Sequence, residues 1–205
     1  MIAYDAIVVA GGRGSRLGGV RKPELTVGGR RLVDIALAAV ASARRVVVVG
    51  DIEVPDGVLR TREDPPWGGP VAAVEAGMAE LTRTGGHAAW TLLLAADLPD
   101  APAAVAELLA APAWGDADAD GVCLLDDTGR LQWLLGGYRT PTLRRRLAER
   151  GDPPLTAMWR LLEPLRLVGV RPAAASTDDV DTPADVVRWD ARPADPRPRG
   201  DTPCA

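Results

Sequence analysis

Histidine is almost missing from this chain: His87, in a Gly-Gly-His turn, is the one histidine in 205 residues. That excludes imidazole-rich zinc sites and leaves a Ser-His-Asp relay without a credible base, so His87 reads as an ordinary loop residue. Cysteine is nearly as scarce, with Cys123 in an apolar stretch and Cys204 near the end of the chain. Two such residues form neither a disulfide framework nor a zinc pattern, and they fit a reducing cytoplasm. The longest apolar runs, such as Ala6 to Ala10 and Val46 to Val49, are only strand-length. The first residues also lack a basic segment followed by a signal-type apolar run, so a cytoplasmic protein without a membrane span is expected. A net charge of −4, with Lys and Arg dispersed among Asp and Glu, offers no basic face to nucleic acid or an anionic membrane. No internal repeat of solenoid or propeller spacing is present. What remains for chemistry is Asp, Lys, Arg and backbone amides acting on small molecules.

A hydrophobic content of 47% over this length supports one well-buried α/β core. A single domain is expected over residues 1–190, followed by a disordered Pro-rich tail, 191–205. Tyr4 to Ala10 reads as a buried strand that stops at Gly11-Gly12. Helical spacing from Arg31 to Ala43 and a strand at Val46 to Val49 then imply a parallel crossover. An edge strand near Val58 to Thr61, a helix over Val71 to Leu81, a buried strand from Trp90 to Ala95 and a helix from Ala101 to Leu109 continue the alternation. This pattern predicts an α/β fold: a single doubly wound, mainly parallel sheet of Rossmann-like kind. Gly121 to Leu125 and Leu131 to Tyr138 read as a β-hairpin turning at 126–129, a candidate acceptor lip. Short helices at Pro141 to Arg150 and Leu155 to Leu162, a strand at Arg166 to Val170 and a closing helix at Thr182 to Trp189 complete the prediction.

The densest chemical signal is Val9-Ala10-Gly11-Gly12-Arg13-Gly14-Ser15-Arg16-Leu17-Gly18-Gly19, with Lys22-Pro23 close behind, directly after a buried strand. Without Cβ atoms its glycines let several N–H groups turn toward an anion, while Arg16 and Lys22 bring charge to a polyphosphate. A P-loop would need Gly-Lys-Ser/Thr, and here proline follows the lysine. A dinucleotide fingerprint fails too, because Leu17 stands where its third glycine belongs.

This loop resembles the signature of nucleotidyltransferases of the molybdenum cofactor guanylyltransferase, or MobA, type. Three further segments are similar to the family's landmarks: Glu63 to Pro70, Ala96-Asp97-Leu98-Pro99 and Asp179-Val180-Asp181-Thr182-Pro183. The resemblance implies a nucleotidyltransferase fold and transfer of GMP from GTP to the phosphate of molybdopterin, with Mg2+ as cofactor and pyrophosphate as product. Carried over by position, Val9, Ala10, Gly11 and Gly12 meet guanine and ribose. Gly14 and Ser15 belong to the same nucleotide loop, Arg16 and Lys22 meet the phosphates, and Asp64 lies on the nucleoside side. Asp97 holds magnesium, with Asp181 or Asp179 as a second carboxylate; Arg16, Lys22 and Asp97 carry the catalysis. GTP and molybdopterin are then the partners, with no nucleic acid and no membrane, and the chain is a monomer or weak homo-oligomer. Arg21, Val49 and the aspartates at 179 and 181 depart from the residues common in that family. A cytidylyltransferase, a sugar-phosphate nucleotidyltransferase and a non-catalytic nucleotide-binding protein stay open as alternatives.

Read without the family, Asp97 ends a buried strand, where open α/β sheets bind ligands, although it could also cap the next helix. Asp64 could equally shape the turn before Pro65-Pro66, and Asp181 could cap the helix opened by Thr182-Pro183. Trp67 could stack on a ligand or simply pack, and Arg144 to Arg146 read as a solvated helix face.

Overall fold

The computed structural model describes residues 2–11, 22–149, 157–173 and 177–191. The expected loop residues Gly12, Gly14, Ser15 and Arg16, and the tail from 192 onward, lie outside the described residues.

Nine strands and six helices follow in chain order among the described residues. They are β1 (Tyr4–Val9), β2 (Thr26–Val27), β3 (Arg30–Arg31), α1 (Leu32–Ala39), β4 (Val46–Val49), β5 (Leu59–Thr61), α2 (Pro70–Arg83), β6 (Trp90–Ala95), α3 (Ala101–Ala110), β7 (Gly121–Leu125), β8 (Leu131–Arg139), α4 (Thr140–Ala148), α5 (Met158–Leu162), β9 (Leu167–Val170) and α6 (Pro183–Asp190). The main sheet has the order β5-β4-β1-β6-β8-β7-β9, while β2 and β3 form a separate small ribbon. Within the main sheet β8 alone runs against its neighbours. The mainly parallel, doubly wound sheet is thus present.

Alternation along β1 explains the layering. Ala6 and Val8 face a core shared with α1, α3 and Trp189 of α6, whereas Ile7 faces one shared with α2, α4 and α5. Both faces are covered, which is why β1, β4 and β6 read as unbroken apolar runs in the sequence. Helix α1 is shorter than its periodicity suggested. After Ala39 the chain tightens into i→i+3 bonds, Ala41 N–H to Ala38 O and Ala43 N–H to Val40 O, and leaves the axis.

The expected hairpin forms, with Gly129 N–H closing the turn onto Asp126 O, but it is no projecting lip. Its second strand is inserted between β6 and β7 in the main sheet. The glycine pair in β8 makes that insertion possible. A Cβ on Gly137 would run into the Trp114 ring, and one on Gly136 would lie 2.6 Å from Cys123 Sγ. Trp114 meets Trp90 edge-on at 4.9 Å, and its indole N–H donates to Leu108 O at 2.6 Å. Two glycines in a central strand therefore mark the close approach of the Cys123 sulfur and of the Trp114 ring to its backbone.

Gly137→Ala will force Trp114 out of a fully packed layer. We expect a loss of about 1–3 kcal/mol of stability, the usual range for overpacking a core. A chemical-denaturation midpoint unchanged from wild type would refute it.

Candidate active site

The carboxyl ends of β1, β4 and β6 open onto one edge of the sheet. The ladder runs slightly past the strands, with Ala10 N–H bonded to Val49 O and Ala96 N–H to Val9 O. These bonds fix Ala10, Gly11, Ala96 and Asp97 at the ligand-binding edge of an open α/β sheet. A cleft of about 370 Å³ lies there, walled by Val9, Gly11, Lys22, Glu63, Trp67 and Asp97, among others. A second cleft, of about 550 Å³, adjoins it and is lined by Asp126, Gln132, Trp133, Met158 and Asp179, among others. Pro70, Ala95, Asp97 and Leu134 belong to both. Asp97 therefore stands on the partition between two compartments. The 14-residue helix α2 starts at this partition, with Gly69 as its N-cap, and its positive end favours anionic ligands.

The partition carries concentrated charge. Lys22 Nζ is bonded to Asp181 Oδ1 and lies 3.6 Å from Asp97 Oδ2. Burial pushes the Asp97 carboxyl above its ordinary range, Lys22 pulls it down, and the charge of Asp179 raises it again. Asp179 is raised as well, first by burial and then by Asp181. For Lys22 burial works against the ammonium, but the bond to Asp181 and the charges of Asp97, Asp181 and Asp179 outweigh it and raise its pKa. Three carboxylates thus converge around one ammonium.

Local structure settles the capping alternatives. Helix α3 has Asp100, not Asp97, at its N-cap, and Asp97 instead accepts Val180 N–H on its backbone carbonyl at 3.0 Å. At α6 the cap is Thr182, in a reciprocal box with Asp185, which leaves the Asp181 side chain to Lys22. Val49 is wholly buried against the α2 side of the sheet and takes no place in either cleft. Asp64 is exposed and absent from both linings, whereas its neighbour Glu63 is buried and faces the smaller cleft. Trp67 lines that cleft in a left-handed backbone conformation (φ 68°), with half of its surface exposed. Arg145 and Arg146 pair with Glu149 along α4, as a solvated face would. His87 stays in its loop, bonded to Thr82 Oγ1.

Sequence reasoning missed Glu63, Gln132 and Trp133. Glu63 was legible only as half of a Glu-Asp pair, and nothing in its spacing says which of the two turns inward. Gln132 and Trp133 lie in β8, whose place beside β6 is a long-range pairing.

The donor set suits a hard divalent cation. Among the described residues no group of three or more His, Cys, Asp or Glu side chains forms a ready-made metal cage. Magnesium does not require one, since it uses one or two carboxylates and completes its shell with phosphate oxygens and water. Asp97 with Asp181 or Asp179, an excess of negative charge over the single Lys22, meets that need.

A strand-end aspartate between two clefts at the ligand edge of an open α/β sheet fits an enzyme that brings two substrates together, and the family comparison makes the class nucleotidyltransferase. Within it the chain belongs to the MobA-like NTP transferase domain family, whose model matches residues 6–185. The molybdenum cofactor guanylyltransferase of Acidiphilium cryptum (strain JF-5) is 38% identical over 122 residues, 53% of this chain and 58% of that protein. The match thus spans little more than half of that relative's length. Molybdopterin-guanine dinucleotide biosynthesis protein A from Archaeoglobus fulgidus has the same fold (TM-score 0.68, 20% identity, 91% of this chain and 96% of that one). So does 2-C-methyl-D-erythritol 4-phosphate cytidylyltransferase from Thermus thermophilus (TM-score 0.63, 19% identity, 93% and 98%). No described helix is long and apolar enough to cross a membrane.

Activation by a divalent cation should depend on pH in a defined direction. Asp97 and Asp179 are raised, so on acidification they take up protons at a higher pH than exposed carboxylates do, and a protonated carboxyl is a poor ligand. A divalent cation held by these carboxylates would bind fully above that raised range and more weakly as pH drops through it. Titrations of magnesium activation at several pH values check this; an affinity flat down to the range of ordinary carboxylates would contradict it.

Proposed function

We propose that this chain transfers GMP from GTP to the phosphate of molybdopterin and releases pyrophosphate, with magnesium as cofactor. The observation that carries this reading is the partition: Asp97, with Lys22 beside it, stands at the boundary of two clefts, one walled by Gly11 and Lys22 and the other by residues of β8. The name of the A. cryptum relative supports the choice of substrates.

In this reading the smaller cleft takes the nucleotide. Val9 and Gly11 on its wall, with Ala10 between them, meet base and ribose, and Gly12, outside the described residues, is assigned to the same contact by its place in the family motif. Gly14, Ser15 and Arg16, outside the described residues, are assigned to the phosphates by the same motif, and the positive end of α2 favours the same anion. Asp64, exposed and next in sequence to the cleft residue Glu63, is kept on the nucleoside side. The larger cleft takes the acceptor, whose phosphate oxygen attacks the α-phosphorus in line. Asp97 with Asp181 or Asp179 would hold magnesium, which would supply positive charge to the reacting phosphates. Lys22 orients the metal-binding carboxylates in the free protein and neutralises phosphate charge in the loaded one. A phosphate acceptor is already ionised, so no general base is needed, consistent with a chain holding one histidine. Phosphoryl transfer of this kind is mostly positioning and charge neutralisation.

The test is pyrophosphate release from each NTP with molybdopterin present. GTP should give the highest kcat/KM, and a preference for CTP would assign the chain to a cytidylyl activity instead. Asp97→Ala should abolish magnesium-dependent transfer while the protein stays folded; activity within about threefold of wild type would remove it from the site. Lys22→Ala should lower kcat by about 10²- to 10³-fold, the effect of losing one positioned charge. A rise in KM alone would make Lys22 a uniform binding contact.

A further inference from the structure

Tyr138 lies wholly inside the core, yet its hydroxyl reaches the wall of the larger cleft. The β7–β8 ladder pairs Cys123 with Gly136, then breaks step and resumes with Leu125 opposite Leu131. The β6–β8 ladder ends where Leu94 meets Leu135. Gln132, Trp133 and Leu134 therefore stand outside both registers and form a bulge, a device that re-aims side chains beside binding sites. All three line the larger cleft. The Tyr138 hydroxyl donates to Trp133 O at 2.8 Å and lies 3.0 Å from Cys123 Sγ. A carbonyl can only accept, so the one phenol proton goes to Trp133 and the Cys123 thiol donates to the phenol oxygen. Burial pushes that thiol up to about 12, so it keeps its proton. Gly136 leaves the room for this pair: a Cβ there would lie 3.1 Å from the Tyr138 hydroxyl. On the outer side Gln132 Nε2 donates to Asp126 Oδ2 at 3.0 Å, while Asp126 Oδ1 accepts the Thr128 and Arg130 N–H groups at 2.9 Å.

We propose that Tyr138 is a positioning residue: from inside the core its hydroxyl fixes the bulge at 132–134, and that bulge is the wall that selects the acceptor. This rests on the reading of the larger cleft as the acceptor's place and deepens it. The bulge has the chemistry for a planar acceptor that carries N–H groups. It offers the Trp133 indole to a flat ring, and Gln132, with one N–H committed to Asp126, keeps its Oε1 to accept from a ligand. Side chains on a bulge owe their direction to its backbone, since no regular ladder holds them. Removing the hydroxyl leaves the Trp133 carbonyl without this donor, and the bulge is then free to turn toward another. The smaller cleft shares only Leu134 with the bulge, so the cost falls on the acceptor and not on the nucleotide.

Two variants of the full chain test the assignment. Tyr138→Phe removes only the hydroxyl and keeps the ring that fills the core. Cys123→Ala disturbs the same spot of the core but leaves the bond to Trp133 in place. Hydrogen exchange of the backbone amides at 131–135 reads the hold on the bulge and needs no substrate. In Tyr138→Phe these amides should exchange about three- to tenfold faster, the factor carried by one hydrogen bond, with those of β1 and β4 unchanged. Pyrophosphate release with magnesium present gives the Michaelis constants. The same variant should raise KM for molybdopterin by about three- to tenfold and leave KM for GTP within about twofold of wild type. Cys123→Ala should leave the exchange at 131–135 and both constants near wild type. Unchanged exchange in Tyr138→Phe would overturn the assignment, as would an equal rise of both KM values or a Cys123→Ala protein with the same defect, which would mark a general loosening of the core. A wild-type protein that uses molybdopterin with no NTP would overturn the substrate reading and with it the acceptor role of the wall. The exchange data would then still decide whether Tyr138 holds the bulge.

Discussion

Everything at the ligand edge depends on bringing several carboxylates into one half-buried place. Asp97 arrives at the end of β6, while Asp179 and Asp181 arrive in the segment before α6, and like charges at such a spot repel unless cations share it. Lys22 is the protein's own answer, bonded to Asp181 and close to Asp97. It ties the end of the glycine loop to the last described segment of the chain, so one ammonium joins parts separated by 159 residues. A divalent ion with phosphates would complete the balance that a single positive charge leaves unfinished.

The backbone supports the same junction without charge. Val180 N–H bonds to Asp97 O, and Val180 is fully buried in the core beneath α1 and α3, so the segment before α6 is anchored by packing as well as by the ion pair. Gly28 N–H donates to Asp190 at the far end of α6, which closes the small ribbon of β2 and β3 over the same side. The carboxylates are therefore held by elements whose positions are set elsewhere in the core. That is the condition for a site whose chemistry is positioning and electrostatics.

The clefts divide by structural origin. The smaller cleft is built from the ends of parallel strands and the start of α2, the regular part of the doubly wound sheet. The larger cleft depends on the antiparallel strand β8, paired with β6, and on α5, elements that follow the regular alternation. The fold itself is common to proteins of different printed activity, molybdopterin-guanine dinucleotide biosynthesis protein A and a methylerythritol phosphate cytidylyltransferase among them, so the fold does not choose the substrate.

The sequence by itself determined the parallel core, the strand-end position of Asp97 and the small glycine-lined loop start at Gly11. These are local features: apolar runs of strand length, helical spacing and a glycine cluster each act over a few neighbouring residues. The pairing of β8 with β6 was beyond it, because that choice rests on whether Gly136 and Gly137 clear Cys123 and Trp114, a contact between distant segments. So was the choice between Asp64 and Glu63, where one of two consecutive acidic side chains in an irregular loop is buried and the other exposed, and the course of the turn that brings Trp67 N–H to Glu63 decides which. The meeting of Lys22 with Asp181 belongs to the same class. Local sequence fixes which groups are available, but whether charges far apart in the chain become neighbours is decided by the burial of the surfaces that carry them, Val180 and Trp189 on one side and β1 and β6 on the other.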